Sequence, residues 1–244
     1  MCGRFAIRTV IDLDGDAVWP GGEDPFAIYR IDIVTGTPRE PRYNIAPTQT
    51  VAAVRAADEG VDADLELVPM VWWFTPSWSK DPTERKYSMF NAKGETVHAS
   101  SAFRGAWKAG RRCLIPADAF YEWEKVDVGK SRPERRPHAI KRADDAVFCF
   151  GGIHERWADR DTGESFESWA ILTTPPAPIL KEIHHRSPVI VPRKRWGEWL
   201  DPTADADAMR GGLGPFADGD FERYEVSRFV SNARNEGERC LQPR

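Results

Sequence analysis

Apolar residues in this chain come in short bursts rather than along extended periodic faces. Leu114-Ile115, Val147-Phe148-Cys149-Phe150, Trp169-Ala170-Ile171-Leu172 and Val189-Ile190-Val191 are each bounded by glycine, proline or charge, a pattern that predicts strands. Helix is expected only over residues 99–109, 179–184 and 193–200, the last carrying Trp196 and Trp199. Strands dominate and no regular βαβ alternation is present, so the expected class is α+β: curved, mainly antiparallel sheet with scattered helices. With no internal repeat, coiled-coil heptad or low-complexity linker, residues 1–244 read as a single domain. Residues 15–24 and 201–220 read as acidic surface loops.

Composition narrows the class. A chain of 244 residues with 41% hydrophobic and 11% aromatic content can bury a large core. No run approaches the roughly 20 apolar residues that cross a bilayer, and Arg4, Arg8, Asp12 and Asp14 interrupt any signal-like start. No membrane association is expected, and the expected location is cytoplasmic, nucleoid-associated if the source is bacterial. Cys2, Cys113, Cys149 and Cys240 form no CxxC pair, which argues against a zinc ribbon or a disulfide framework; neither metal nor cofactor is expected.

The net charge of −4 speaks against coating duplex DNA by charge alone, but it conceals an asymmetry. Residues 80–142 hold fifteen Lys/Arg against eight Asp/Glu, a net of +7, which leaves −11 for the remainder. A basic face on an acidic body suits a short polyanion. The alternative for Lys130, Arg132, Arg135 and Arg136 is a solvated loop.

Candidate chemistry begins at Cys2. If Met1 is removed, as the small residues behind it favour, Cys2 presents an amine and a thiol on adjacent carbons, the arrangement that closes a five-membered thiazolidine on an aldehyde. Reference values of about 7.7–8.0 for the amine and about 8.5 for the thiol leave a useful fraction of both unprotonated near neutral pH. Asn44 and Asn91 lie in aromatic or proline-bounded segments, where an amide either staples backbone or points at a ligand. In Phe120-Tyr121-Glu122-Trp123, strand alternation sets Glu122 on the face opposite Tyr121 and Trp123. There it either pairs with a cation or has its pKa raised toward a general acid's range. Of the adjacent His184 and His185, only one is expected to serve a site, and His184, beside Ile183, is the candidate. His98, His138 and His154 are expected to be structural.

Met1-Cys2-Gly3-Arg4-Phe5, Tyr43-Asn44-Ile45-Ala46-Pro47-Thr48, Asn91-Ala92-Lys93-Gly94-Glu95-Thr96, Arg112 through Trp123, and Ile183-His184-His185-Arg186-Ser187-Pro188 stand in the chain in that order. Together with the final segment from Val226-Ser227 to Pro243, they resemble the SRAP family of SOS response-associated peptidases, or abasic-site processing proteins. The resemblance implies an SRAP-like domain that recognises an abasic site in single-stranded DNA and joins itself to it through Cys2. By position it makes Cys2 the nucleophile, Asn91 the group that orients it, Glu122 an acid–base residue and His184 an aid to proton transfer at the sugar. It implies phosphate and base contacts from Arg4, Asn44, Lys93, Arg186 and Thr173, and a stacking wedge lined by Trp72, Phe74 and Pro47. The chain departs from the family pattern at Lys93 (usually Arg), Trp73 (usually Gly), Ala177 (often Asn), His185 (commonly Asp) and Ser187 (commonly larger). Two other readings remain: an N-terminal-nucleophile cysteine peptidase acting on its own leader, and a non-covalent single-strand binding module.

Overall fold

The computed structural model describes the chain except residues 1, 9, 12–16, 19–23, 25 and 130, and the side chains of Val10, Ile11, Ala17, Val18 and Asp218. Met1, Lys130 and most of the loop expected at 15–24 therefore lie outside the described residues.

Two β-sheets face each other. The smaller has five strands in the order Phe221–Glu225, Glu134–Arg142, Ala119–Val126, Phe5–Ile7 and Arg42–Ile45, all antiparallel. The larger, nine-stranded sheet runs Ser187–Pro188, Ser165–Thr174, Phe148–Ala158, Arg112–Ala117, Thr50–Ala56, Leu65–Val71 and Ile31–Ile33. Ile190–Val191 pairs beside Phe148–Ala158, and Asn91–Lys93 lies parallel to Ser165–Thr174. The apolar bursts at 114–115, 148–150 and 169–172 all fall within strands of this larger sheet.

Period-two alternation sorts the side chains into layers. Phe5, Ile45, Phe120 and Ile140 of the small sheet meet Val51, Met70, Cys113, Ile115, Phe150 and Trp169 of the large one in a shared core. Leu114, between Cys113 and Ile115, faces the other way, into a core roofed by Trp107, Trp196, Trp199 and Met209 of three short helices, Arg104–Lys108, Trp196–Leu200 and Ala206–Gly211. On the outer face of the small sheet, Ala6, Tyr121 and Ala139 are covered by Val226, Val230 and Cys240 of the C-terminal segment.

Helix is shorter than predicted. Only Arg104–Lys108 of the stretch 99–109 is α-helical; Ser100 and Ser101, poor interior helix formers, precede it outside the helix. Over 179–184 the chain makes a single 3-10 turn at Pro178–Leu180, because Pro178 starts the turn without a donor. The expected loop at 201–220 contains the helix Ala206–Gly211, capped by Asp205, whose carboxylate accepts the Ala208 N–H at 2.7 Å.

Candidate active site

The strand Phe5–Ile7 is the link between the chain start and the rest of the molecule. Phe5 sits opposite Phe120 on one side and Ile45 on the other. The Arg4 carbonyl accepts the Tyr121 N–H at 3.0 Å, so pairing continues upstream and carries Cys2 onto the inner face of the small sheet. On the strand Ala119–Val126, Phe120 and Glu122 point inward while Tyr121 and Trp123 point out, as alternation predicts. The Tyr121 hydroxyl donates to the Tyr43 carbonyl at 2.8 Å, and Trp123 Nε1 donates to Ser231 Oγ at 3.0 Å.

Glu122 is therefore a carboxyl in an apolar core. Burial pushes its pKa up to about 7. The Cys2 thiol is 1% exposed, and burial followed by the nearby Glu122 charge pushes it far above the usual thiol range. This corrects the expectation of a ready thiolate at Cys2: near neutral pH the sulfur keeps its proton.

Asn91 reaches Cys2 from the opposite sheet. Its strand is held parallel to Ser165–Thr174, with Asn91 opposite Ile171, and its Nδ2 donates to the Cys2 carbonyl at 3.0 Å. Asn91 Oδ1 is buried without a partner among the described residues. His184 follows the 3-10 turn at Pro178–Leu180. Its Nδ1 accepts the Arg186 N–H at 3.1 Å, and burial lowers its pKa to about 4. The imidazole is thus neutral at pH 7, with Nδ1 beside both the N–H and the carbonyl of Arg186. A proton-holding carboxyl and an amide from two other segments converge on Cys2, and the stretch after the 3-10 turn presents a neutral imidazole.

A profile described as SOS response associated peptidase (SRAP) matches residues 1–233. The chain belongs to the SRAP family. This SRAP chain is 33% identical over 247 residues to the abasic site processing protein YoaM of Bacillus subtilis, covering 99% of this chain and 97% of that protein. It is 28% identical over 249 residues to the abasic site processing protein YedK of Escherichia coli, covering the whole of both. Among solved structures, a protein from Bacteroides thetaiotaomicron shares the fold with a TM-score of 0.72 at 24% identity, over 83% of this chain and 85% of that one.

Several residues that the resemblance assigned to DNA contact in the SRAP chain stand elsewhere. Asn44 is completely buried, and its Nδ2 donates to the carbonyls of Val230, Asn232 and Asn235 at 3.1, 2.9 and 2.9 Å. It staples the C-terminal segment to the small sheet instead of facing a ligand. Trp72 and Phe74 belong to the core: Trp72 stacks on Trp169 at 5.4 Å and donates Nε1 to the Phe90 carbonyl, while Phe74 meets Phe103 edge-on at 4.8 Å. Neither offers a face to a base. The half-buried indole of this segment is Trp73, with the Arg85 guanidinium 5.0 Å from its ring centroid. Pro47 is half-buried, ahead of Thr48, whose φ of 78° is a strained backbone for a β-branched residue.

Of the remaining polar residues, Lys93, Thr173 and Arg186 lie together. Lys93 is exposed and Arg4 is half-buried, with Nη1 on the Gly3 carbonyl at 3.0 Å. Arg186 Nη2 donates to the Thr173 carbonyl at 2.6 Å and to Thr173 Oγ1 at 3.2 Å. It also holds Glu95 in a two-pronged pair at 2.6 and 2.7 Å, which keeps that carboxyl below its ordinary range. Glu95 was not singled out in the sequence, since an exposed glutamate carries no local signal. Two departures from the family pattern bond to each other: Ser187 Oγ accepts the Ala177 N–H at 2.6 Å.

Proposed function

We propose that, once Met1 is removed, this protein binds abasic single-stranded DNA and caps the lesion as a thiazolidine on Cys2. The observation that carries the reading is the convergence of Asn91 and Glu122, from opposite sheets, on Cys2.

An abasic deoxyribose is a hemiacetal in equilibrium with a little open aldehyde. A carboxyl that holds its proton up to about pH 7 is suited to protonate the ring oxygen and open the sugar. The Cys2 amine then adds to C1′, water leaves, and an imine forms. The thiol proton leaves as sulfur attacks the imine carbon, and the nitrogen takes up a proton, closing the ring. Because the thiol is held protonated, the amine attacks first and the sulfur needs an acceptor for its proton; the Glu122 carboxylate left by ring opening supplies it. Neutral His184, donating through one ring nitrogen, stabilises the sugar oxygen during these steps. Asn91 fixes the Cys2 backbone, and an intramolecular closure of this kind has an effective molarity of about 10⁵ M or more. Ring closure removes the imine that would otherwise promote β-elimination and strand cleavage.

Lys93, Arg4 and Arg186 supply positive charge along the approach, and Trp73 with Arg85 supplies a stacking surface. The test is a denaturing gel of protein incubated with a single-stranded oligonucleotide carrying one abasic site. A band shift that survives denaturation and disappears in Cys2→Ser supports the covalent reading. Binding lost on denaturation in both proteins would leave a non-covalent module, and cleavage of a leader or peptide without an adduct would leave a hydrolase.

A further inference from the structure

His138, set aside as structural in the sequence, is a direct cross-strand neighbour of Glu122. Directly opposed residues of an antiparallel pair share a face, with Cβ atoms about 5 Å apart. Ile140, two residues on, lies in the core between the sheets, so His138 and Glu122 both occupy the inner face. His138 Nε2 lies 3.1 Å from Glu124 Oε2, and its Nδ1 is buried without a partner among the described residues. Exposure rises along this row: the His138 side chain is 12% exposed and that of Glu124 is 34% exposed, whereas Glu122 is buried.

We propose that His138 carries protons between Glu122 and solvent at Glu124. Imidazole is the side chain suited to the task, since it can take a proton at one nitrogen and release one from the other near neutral pH. Glu124, when it carries a proton, gives it to Nε2 while the Nδ1 proton passes to the Glu122 carboxylate through one bridging water. The imidazole starts and ends neutral, and the proton lost by Glu124 is gained by Glu122; the reverse sequence returns it. The other charged and titratable groups facing this row are Cys2 from the chain start, Arg136 opposite Glu124, and Glu225 opposite His138 on the far strand. Glu225 is engaged by Arg244 Nη1 at 2.5 Å, which leaves Glu124 as the carboxylate bonded to the imidazole.

The proposal rests on reading Glu122 as the acid–base group, so its test has an arm that needs no DNA. In protein labelled with ¹³C at glutamate carboxyls, the Glu122 signal, assigned by its absence in Glu122→Gln, is followed through neutral pH. The expected result is one averaged resonance in the wild type and a broadened or split one in His138→Phe and in the polar His138→Gln. Identical line shapes in all three would overturn the relay. In the second arm, single-turnover crosslinking to an abasic oligonucleotide is expected to slow on the order of tenfold or more in His138→Ala and to recover with added imidazole. Slowing without recovery would mean that His138 only holds the fold, and would overturn the proposal. If the wild type forms no adduct, the functional reading fails, while the carboxyl line shapes still decide the relay.

Discussion

The side-chain amide of Asn91 and the backbone carbonyl of Cys2 are joined by a hydrogen bond of 3.0 Å that ties the chain start, which runs into the small sheet, to the large sheet opposite. Asn91 stands on a strand paired with Ser165–Thr174, so its position is fixed by the large sheet's ladder rather than by a loop.

Replacing Asn91 by Ala removes this tether. A net loss of about 1 kcal/mol in stability is expected for one hydrogen bond. The larger effect is expected on adduct formation, where misplacement of the amine by ~1 Å costs about 100-fold in rate. Denaturant unfolding measures the first and single-turnover crosslinking the second, with affinity for abasic DNA unchanged.

Glu122 imposes a pH dependence on stability. Its native pKa lies above its ordinary value of 4.5, at about 7, so between these values the folded state holds a proton that the unfolded state has released. Stability therefore falls as pH rises from about 4.5 through 7 and levels off above it, a loss of about 3 kcal/mol for this group. Glu122→Gln is expected to match the wild type near pH 4.5 and to be more stable by that order at pH 8, as read by denaturant midpoints. The same variant is expected to lose crosslinking by about 10²- to 10⁴-fold.

Glu95 holds Arg186, a phosphate contact in the proposed function, and is expected to compete with DNA for it. Breaking the two-pronged pair with Glu95→Gln releases a guanidinium beside Lys93 and Thr173. Affinity for single-stranded DNA is expected to rise, and the slope of log K against log salt to steepen by about 0.7. Titrations at several salt concentrations check both.

Asn44 is predicted to matter for folding and not for binding. Asn44→Ala leaves three carbonyls of the C-terminal segment without their donor and is expected to cost about 2 to 3 kcal/mol. The folded fraction should bind DNA with wild-type affinity. Reduced affinity at full folding would return Asn44 to the DNA surface.

Legibility in the sequence followed the range of the interactions. The strands around 148–150 and 169–172 could be read because apolar bursts and their glycine, proline or charged borders are local signals. The inward orientation of Glu122 could be read because alternation is local too. Register was not legible: Asn91 meets Cys2 across 89 residues, and nothing between them encodes that meeting. Their partnership came from the family resemblance alone. The placement of His138 was not legible for the same reason, since only the pairing of two strands sets it opposite Glu122. Trp72 and Phe74 misled in the other direction: in a segment of alternating aromatics the sequence does not say which rings face the core, and here Trp73, not its neighbours, is the half-buried one.

The most direct test of the account is peptide-level mass spectrometry of the protein after incubation with a single-stranded oligonucleotide bearing one abasic site, digested with protease and nuclease. The expected product is a peptide that lacks Met1 and begins at Cys2, modified at that residue by a deoxyribose remnant with loss of one water, as a thiazolidine requires. An unmodified Cys2 beside a modified lysine or other residue, or no modification on a peptide that lacks Met1, would contradict it.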